Sequence, residues 1–327
     1  MRPGFGQFNT ASSEYLRFAA QYGVKDILLN NPILQEEKPG IWSKKELAKL
    51  KLSIESYNLQ LSAIENVPTH FYDHIMLNGP NKNMQIENMI QNIENMADVG
   101  IPIFGYNWMP SHVWRTNPRH IRGGAIATAF DYESAKNYPL THDREYSEDE
   151  MWESLEEWIK IITPIAEKKN IRLGIHPCDP PVEKLGGIPQ LLRSFESYKR
   201  LIEIVDSPSN GIEFCQGTFS EMEDAKDGGI YEMIDYFSSR KKILYVHFRN
   251  VSGTVPKFNE EFINSGYVDM HKAMNIYLKN GFDSFFIDDH VPQTNHDTEW
   301  GHAGRAFANG YIQALIESTL KQKKFDE

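Results

Sequence analysis

Four segments in the second half of the chain read as short apolar strands, and each ends in a side chain able to bind a metal. They are Ile171–His176, Gly211–Cys215, Ile243–His247 and Ser284–His290. His176, Cys215, His247 and Asp289 together offer two imidazoles, a thiolate and a carboxylate, a donor set suited to one Zn²⁺, Mn²⁺ or Fe²⁺ ion. A wholly hard-oxygen Mg²⁺ site is less natural beside a thiolate. Side chains alternate along a strand. His176 therefore shares a face with Arg172 and Gly174, Cys215 with Glu213, His247 with Tyr245 and Arg249, and Asp289 with Phe285 and Ile287. Those faces converge if they all point to one interior, and the same parity selects Asp289 over Asp288. Taken singly, a strand-end histidine is more often a hydrogen-bonded structural residue, and Cys215 a small buried hydrophobe. Their shared position on successive strands is what favours a metal.

The neighbours of these residues extend the chemistry. Arg249 lies two positions past His247 on the same face, where a guanidinium grips a carboxylate in bidentate fashion or forms a structural ion pair. His290 follows Asp289 and is placed to act as a general acid or base near neutral pH. Open positions on the ion would take oxygens of a hydroxy acid and polarise its carboxylate. Arg172 and Glu213 face inward below the ligands. They are expected to pair, because an unpaired buried charge is costly.

Something must hold four strand ends together. Four earlier segments, Gly4–Phe8, Val24–Asn30, Leu59–Asn66 and Ile101–Trp108, also read as strands and bring the total to eight. Helical patterns run between them over Ser12–Gln21, Ser43–Tyr57, Ile86–Val99, Glu148–Lys169, Ile188–Ile204, Ile230–Ser239, Met270–Asn280 and Gly304–Leu320. Ser43-Lys-Lys-Glu46 has the form of a capping box. The alternation predicts an α/β chain forming a (β/α)8 TIM barrel as a single domain over residues 1–327, with functional groups at the C-terminal ends of the strands. A doubly wound open sheet would usually carry a Gly-rich turn after its first strand, and this chain has none. After the fourth strand, Met109–Tyr146 shows no strong periodicity and is expected to be an active-site loop or lid.

Composition narrows the class of partner. The formal net charge of −11 argues against a nucleic-acid or membrane-surface binder. A small anionic substrate can still be held by local arginines. The opening Met1–Gly6 has no secretory core, and no apolar run approaches the ~18 residues of a membrane span. A cytoplasmic protein is therefore expected, with Cys178 and Cys215, its only cysteines, reduced. A homo-oligomer is compatible with everything above.

His176-Pro177-Cys178-Asp179-Pro180-Pro181, Phe214-Cys215-Gln216-Gly217-Thr218, Val246-His247-Phe248-Arg249-Asn250-Val251 and Asp289-His290-Val291-Pro292 resemble mannonate dehydratase in order and spacing. Tyr106-Asn107-Trp108-Met109, Arg122-Gly123-Gly124-Ala125 and the segment Gly304–Tyr311 are similar to the family as well. The resemblance implies a barrel of the xylose-isomerase-like group. It also implies dehydration of D-mannonate to 2-dehydro-3-deoxy-D-gluconate in hexuronate (glucuronate) breakdown. It implies one Mn²⁺ or Fe²⁺ per chain on His176, Cys215, His247 and Asp289, with His290 transferring a proton. Asn107, Arg122 and Arg249 are the expected contacts to a sugar-acid substrate. A tyrosine that follows the Asp-His motif in the family has two candidate positions here, His302 and Tyr311. Cys178 stands where the family more usually has Asp. Two other readings are a metal-dependent sugar isomerase or epimerase on the same barrel, and a non-catalytic sugar-acid-binding homologue.

Overall fold

The computed structural model describes residues 1–326, with side chains through residue 323. Eight parallel strands close into a barrel: β1 (Arg2–Phe5), β2 (Asp26–Asn30), β3 (Gln60–Glu65), β4 (Ile103–Tyr106), β5 (Arg172–Ile175), β6 (Asn210–Cys215), β7 (Ile243–His247) and β8 (Phe285–Ile287). They lie in sequence order around the ring, with β8 pairing β1. Eight helices cover the outside: α1 (Ser13–Gln21), α2 (Lys44–Glu55), α3 (Lys82–Val99), α4 (Glu148–Lys168), α5 (Phe195–Ile204), α6 (Gly229–Ser239), α7 (Met270–Lys279) and α8 (His302–Asp326). Helix α8 runs past the expected end at Leu320. The helix carries the charged tail through Asp326, and residue 327 lies outside the described residues. Among them, no helix is long and apolar enough to cross a membrane.

The alternation of each strand builds two apolar layers. The larger fills the space between strands and helices and includes Ile27, Phe104, Trp158, Ile175, Phe214 and Phe286. The smaller joins Leu28, Ala63, Ile103, Leu244, Tyr245, Phe285 and Ile287, with the rings of Tyr245 and Phe285 stacked at 5.2 Å. Gly105 permits a close approach inside the barrel. A Cβ there would fall 2.6 Å from the Tyr245 hydroxyl and 3.0 Å from Glu213 Oε2.

Three local expectations are corrected. The helix expected from Ile188 begins at Phe195. Ile188–Pro189 instead pairs with Lys184–Leu185 in a hairpin, and Ser194 caps the helix. Ser43 makes no side-chain cap. Its backbone N–H is already taken by the Gln35 carbonyl at 3.1 Å, and Glu46 turns to Lys49 at 2.6 Å. Arg172 does not pair with Glu213. It sits at the opening of β5, and its guanidinium donates to the carbonyls of Pro208 and Lys241. Those carbonyls satisfy it without a carboxylate.

The 109–146 segment is less irregular than its sequence. Arg119–His120 and Ile126–Ala127 form a hairpin, and Ala129–Asp131 pairs antiparallel with Lys257–Glu261 beyond β7. Thr141 and Tyr146 donate their N–H groups to the carbonyls of Gly186 and Gly187. The segment is thus stitched to the loops that follow both β5 and β7.

Candidate metal centre

Strand register brings the ligand types together. Cys215 on β6 lies opposite His247 on β7, and His247 lies opposite Ile287 on β8. His176 follows β5 directly. One donor atom from each of His176, Cys215 and His247 falls within 4.8 Å of the others, and all three residues are buried. Asp289 closes the group from beyond β8: its Oδ1 is 3.5 Å from His247 Nδ1 and its Oδ2 is 3.6 Å from Cys215 Sγ. Asp289 has a left-handed φ of 58°. Its neighbour Asp288 turns instead to Arg305 of α8, at 3.0 Å.

Each imidazole presents one nitrogen. His176 Nδ1 lies 2.7 Å from the Pro177 carbonyl, which can only accept, so Nδ1 carries a proton and Nε2 is the nitrogen left for a cation. His247 Nε2 lies 2.6 Å from Glu65 Oε2 and 3.1 Å from Glu213 Oε1. Among the described residues, His247 Nδ1 is buried without a hydrogen-bond partner, and it faces the same side as Cys215 and Asp289. A buried, unpartnered nitrogen beside a thiol and a carboxylate fits a cation. The carboxylate behind His247 is the usual companion of a metal-bound imidazole.

The local charges work in the same direction. Burial opposes ionisation of Cys215, but Arg249 and the two imidazoles outweigh it and pull the thiol pKa down to about 5. Burial also opposes charge on His176, yet Glu213 and Cys215 raise it to about 10. Glu65 and Glu213 share His247 and split in consequence. Burial and Glu65 push Glu213 well up, whereas His247 overcomes burial and holds Glu65 below the ordinary carboxylate value. Residues Glu65, Glu213 and His247 form a second group able to hold a cation, through the opposite face of the same imidazole.

The flanking residues fall into two sets. His290 lies at the mouth with its Nε2 3.6 Å from Asp289 Oδ1. Asn107, just past β4, donates to Asn66 Oδ1 at 2.8 Å and accepts from the Met109 N–H. Arg249 is buried, and its donors are engaged: Asp289 at 2.9 Å, Glu221 at 2.8 Å, Glu260 at 3.1 Å and Asp179 at 3.4 Å. That geometry orients Asp289 and charges the pocket wall, rather than holding a guanidinium open for a ligand.

Arg122, His302 and Tyr311 are not brought to the cluster. Arg122 is exposed on the long segment, stacked over Phe262 and bonded to Asn264. His302 opens α8 facing α1: it meets Thr298 at 2.5 Å and Glu14 at 3.5 Å, and packs on Tyr15, Phe18 and Trp300. Tyr311 lies in the third turn of α8, in the outer helix layer, with Asp269 as its charged neighbour.

Comparison with known proteins gives this geometry a lineage. The family model described as D-mannonate dehydratase (UxuA) matches residues 4–139 and 133–326. The chain belongs to the D-mannonate dehydratase family. It is 29% identical to Mannonate dehydratase 2 of Halalkalibacterium halodurans, covering 95% of this chain and 94% of that one. It is 30% identical to the mannonate dehydratase of Streptococcus uberis over 87% of this chain and 89% of the other. The crystal structure of mannonate dehydratase from Streptococcus suis superposes with a TM-score of 0.86 at 25% identity, covering 99% and 95% of the two chains. An L-ribulose 3-epimerase, at 13% identity and a TM-score of 0.60, shares the fold. Fold class and family therefore agree with the reading of the strand-end motifs.

Sequence reasoning missed Glu65, Glu260 and Arg115. Glu65 was within reach: it ends β3, as the other candidate residues end or follow their strands. Glu260 and Arg115 carry no such signal, because they come from segments between barrel elements.

Proposed function

We propose that this protein is a metal-dependent hydro-lyase that removes water from D-mannonate to give 2-dehydro-3-deoxy-D-gluconate in hexuronate breakdown. The observation that carries the reading is the convergence of His176, Cys215, His247 and Asp289 at the mouth of a barrel of this family. Those four residues would hold one Mn²⁺ or Fe²⁺. When bound, the ion supplies Lewis acidity beside the substrate carboxylate and the adjoining carbon.

The chain itself supplies the remaining parts. Asp289 is fixed by Arg249, and Glu65 holds His247 with Nδ1 turned to the pocket. His290 is partly exposed at the mouth and serves as the proton-transfer group. The proton leaving C2 and the hydroxyl leaving C3 together form the water released, and the enol relaxes to the 2-keto acid. Asn107 reaches the same rim and is positioned to meet a substrate hydroxyl. The 109–146 segment, held to the loops after β5 and β7, is read as the wall of the site. Arg122 lies on its surface and would reach a substrate only if that segment moved inward.

The test is incubation of the reduced, Mn²⁺-supplemented protein with D-mannonate and its C2 and C3 epimers, scored for 2-keto acid. Product from D-mannonate alone agrees with the proposal. An interconverted aldonate without 2-keto acid would point to an epimerase. Binding without turnover would point to a non-catalytic homologue.

A further inference from the structure

His290 stands just past β8 with its side chain 40% exposed. Its Nδ1 lies 2.9 Å from Glu260 Oε1, and its Nε2 points back toward Asp289. A carboxylate oxygen accepts, so Nδ1 carries a proton and Nε2 is the ring atom left for a substrate. Glu260 is almost completely buried and is held from several sides. Its backbone N–H donates to the Thr128 carbonyl at 2.9 Å. Its Oε1 also meets Arg115 Nη2 at 2.9 Å and Arg249 Nη1 at 3.1 Å. Arg115 is anchored in turn on Asp179 by two bonds, of 2.6 and 2.8 Å. Both Thr128 and Arg115 belong to the long segment after β4.

We propose that Glu260 is the positioning residue for His290, and that Arg115 of the long segment sets where Glu260 stands. A carboxylate bonded to one nitrogen of a histidine fixes the tautomer and the ring rotation, and so aims the other nitrogen. Here that carboxylate lies on a strand outside the barrel, paired with Ala129–Asp131 of the long segment. The segment is therefore a working part of the site as well as its wall. The inference rests on the proton-transfer role given to His290 above.

The experiment uses the metal-loaded full chain with D-mannonate, comparing Glu260→Ala and Glu260→Gln, each alone and combined with His290→Asn. Glu260→Ala is expected to lower kcat on the order of a hundredfold, with KM within about twofold. Metal content should stay unchanged. Glu260→Gln keeps an oxygen that accepts from Nδ1, so its kcat should fall between those of Glu260→Ala and wild type. In the His290→Asn background neither substitution should lower kcat further, because a residue that acts through His290 has nothing left to orient. An undiminished loss in that background overturns the proposal, as does an unchanged kcat in Glu260→Ala. If Glu260→Ala does not fold, the same cycle with Glu260→Gln decides. A His290→Asn variant with wild-type turnover removes the role of His290 and this inference with it. A damaging His290→Asn beside a harmless Glu260→Ala overturns this inference alone.

Discussion

Cys215 combines a strand-end position, complete burial and a pKa of about 5. At neutral pH it is a thiolate, the form that binds a metal. Cys215→Ser keeps the volume but removes the soft donor. Metal affinity is expected to fall by at least about a hundredfold, the upper end of what losing a partner behind the ligands costs. Metal analysis after dialysis checks this, and full retention of the ion would contradict it. The histidines add a pH signature. His176 has its pKa raised to about 10 and His247 is raised well above the ordinary value, so both hold protons at neutral pH. A cation takes the place of those protons. Metal binding should therefore release protons, and affinity should rise as pH increases toward 10. Calorimetry in buffers of different ionisation enthalpy measures the release, and an absence of proton exchange would count against these ligands. At this scale the sequence was informative where side-chain type and strand parity coincide. It was uninformative for Arg249. Parity gave the face, but the guanidinium's partners, Glu221, Glu260 and Asp179, come from a short helix, a strand outside the barrel and a loop.

Among the elements, helix α4 shows which local signals carry through to structure. Ser147 and Glu150 form a reciprocal capping box, and their bonds to backbone and hydroxyl, with Arg144, lower the Glu150 pKa from 4.5 to about 2. A carboxylate depressed in the folded state contributes stability above its unfolded pKa and loses it as pH falls through the folded value. The Tm gap between wild type and Glu150→Gln should therefore be full at neutral pH and narrow between pH 4.5 and about 2. A gap independent of pH would show that the charge does not matter. Ser43–Glu46 has the same sequence form without the reciprocal box, because the Gln35 carbonyl takes the Ser43 N–H that the Glu46 carboxylate would otherwise accept. Local pattern decides an element only where no tertiary partner competes for the same group. The 109–146 segment is the opposite case. Its strand Ala129–Asp131 pairs with residues more than a hundred positions away, so no local periodicity announces it.

The molecule as a whole was legible because eight strand signals repeat with helices between them, and all eight expected segments overlap barrel strands, the first by Gly4 and Phe5 alone. Closure then does the chemistry's positioning. It brings β5 through β8 side by side, so that residues up to 113 positions apart, from His176 to Asp289, face one pocket. What the chain does not announce is the layer outside the barrel, where Arg115 and Glu260 connect that pocket to the long segment. The central claim is that this pocket dehydrates D-mannonate with a bound divalent metal. The measurement that tests it most directly is formation of 2-dehydro-3-deoxy-D-gluconate by the Mn²⁺-loaded protein, beside the same protein after chelation. The account predicts steady product with metal, none after chelation, and recovery when Mn²⁺ is restored. Metal-loaded protein that leaves D-mannonate unchanged, or a rate indifferent to chelation, would contradict it.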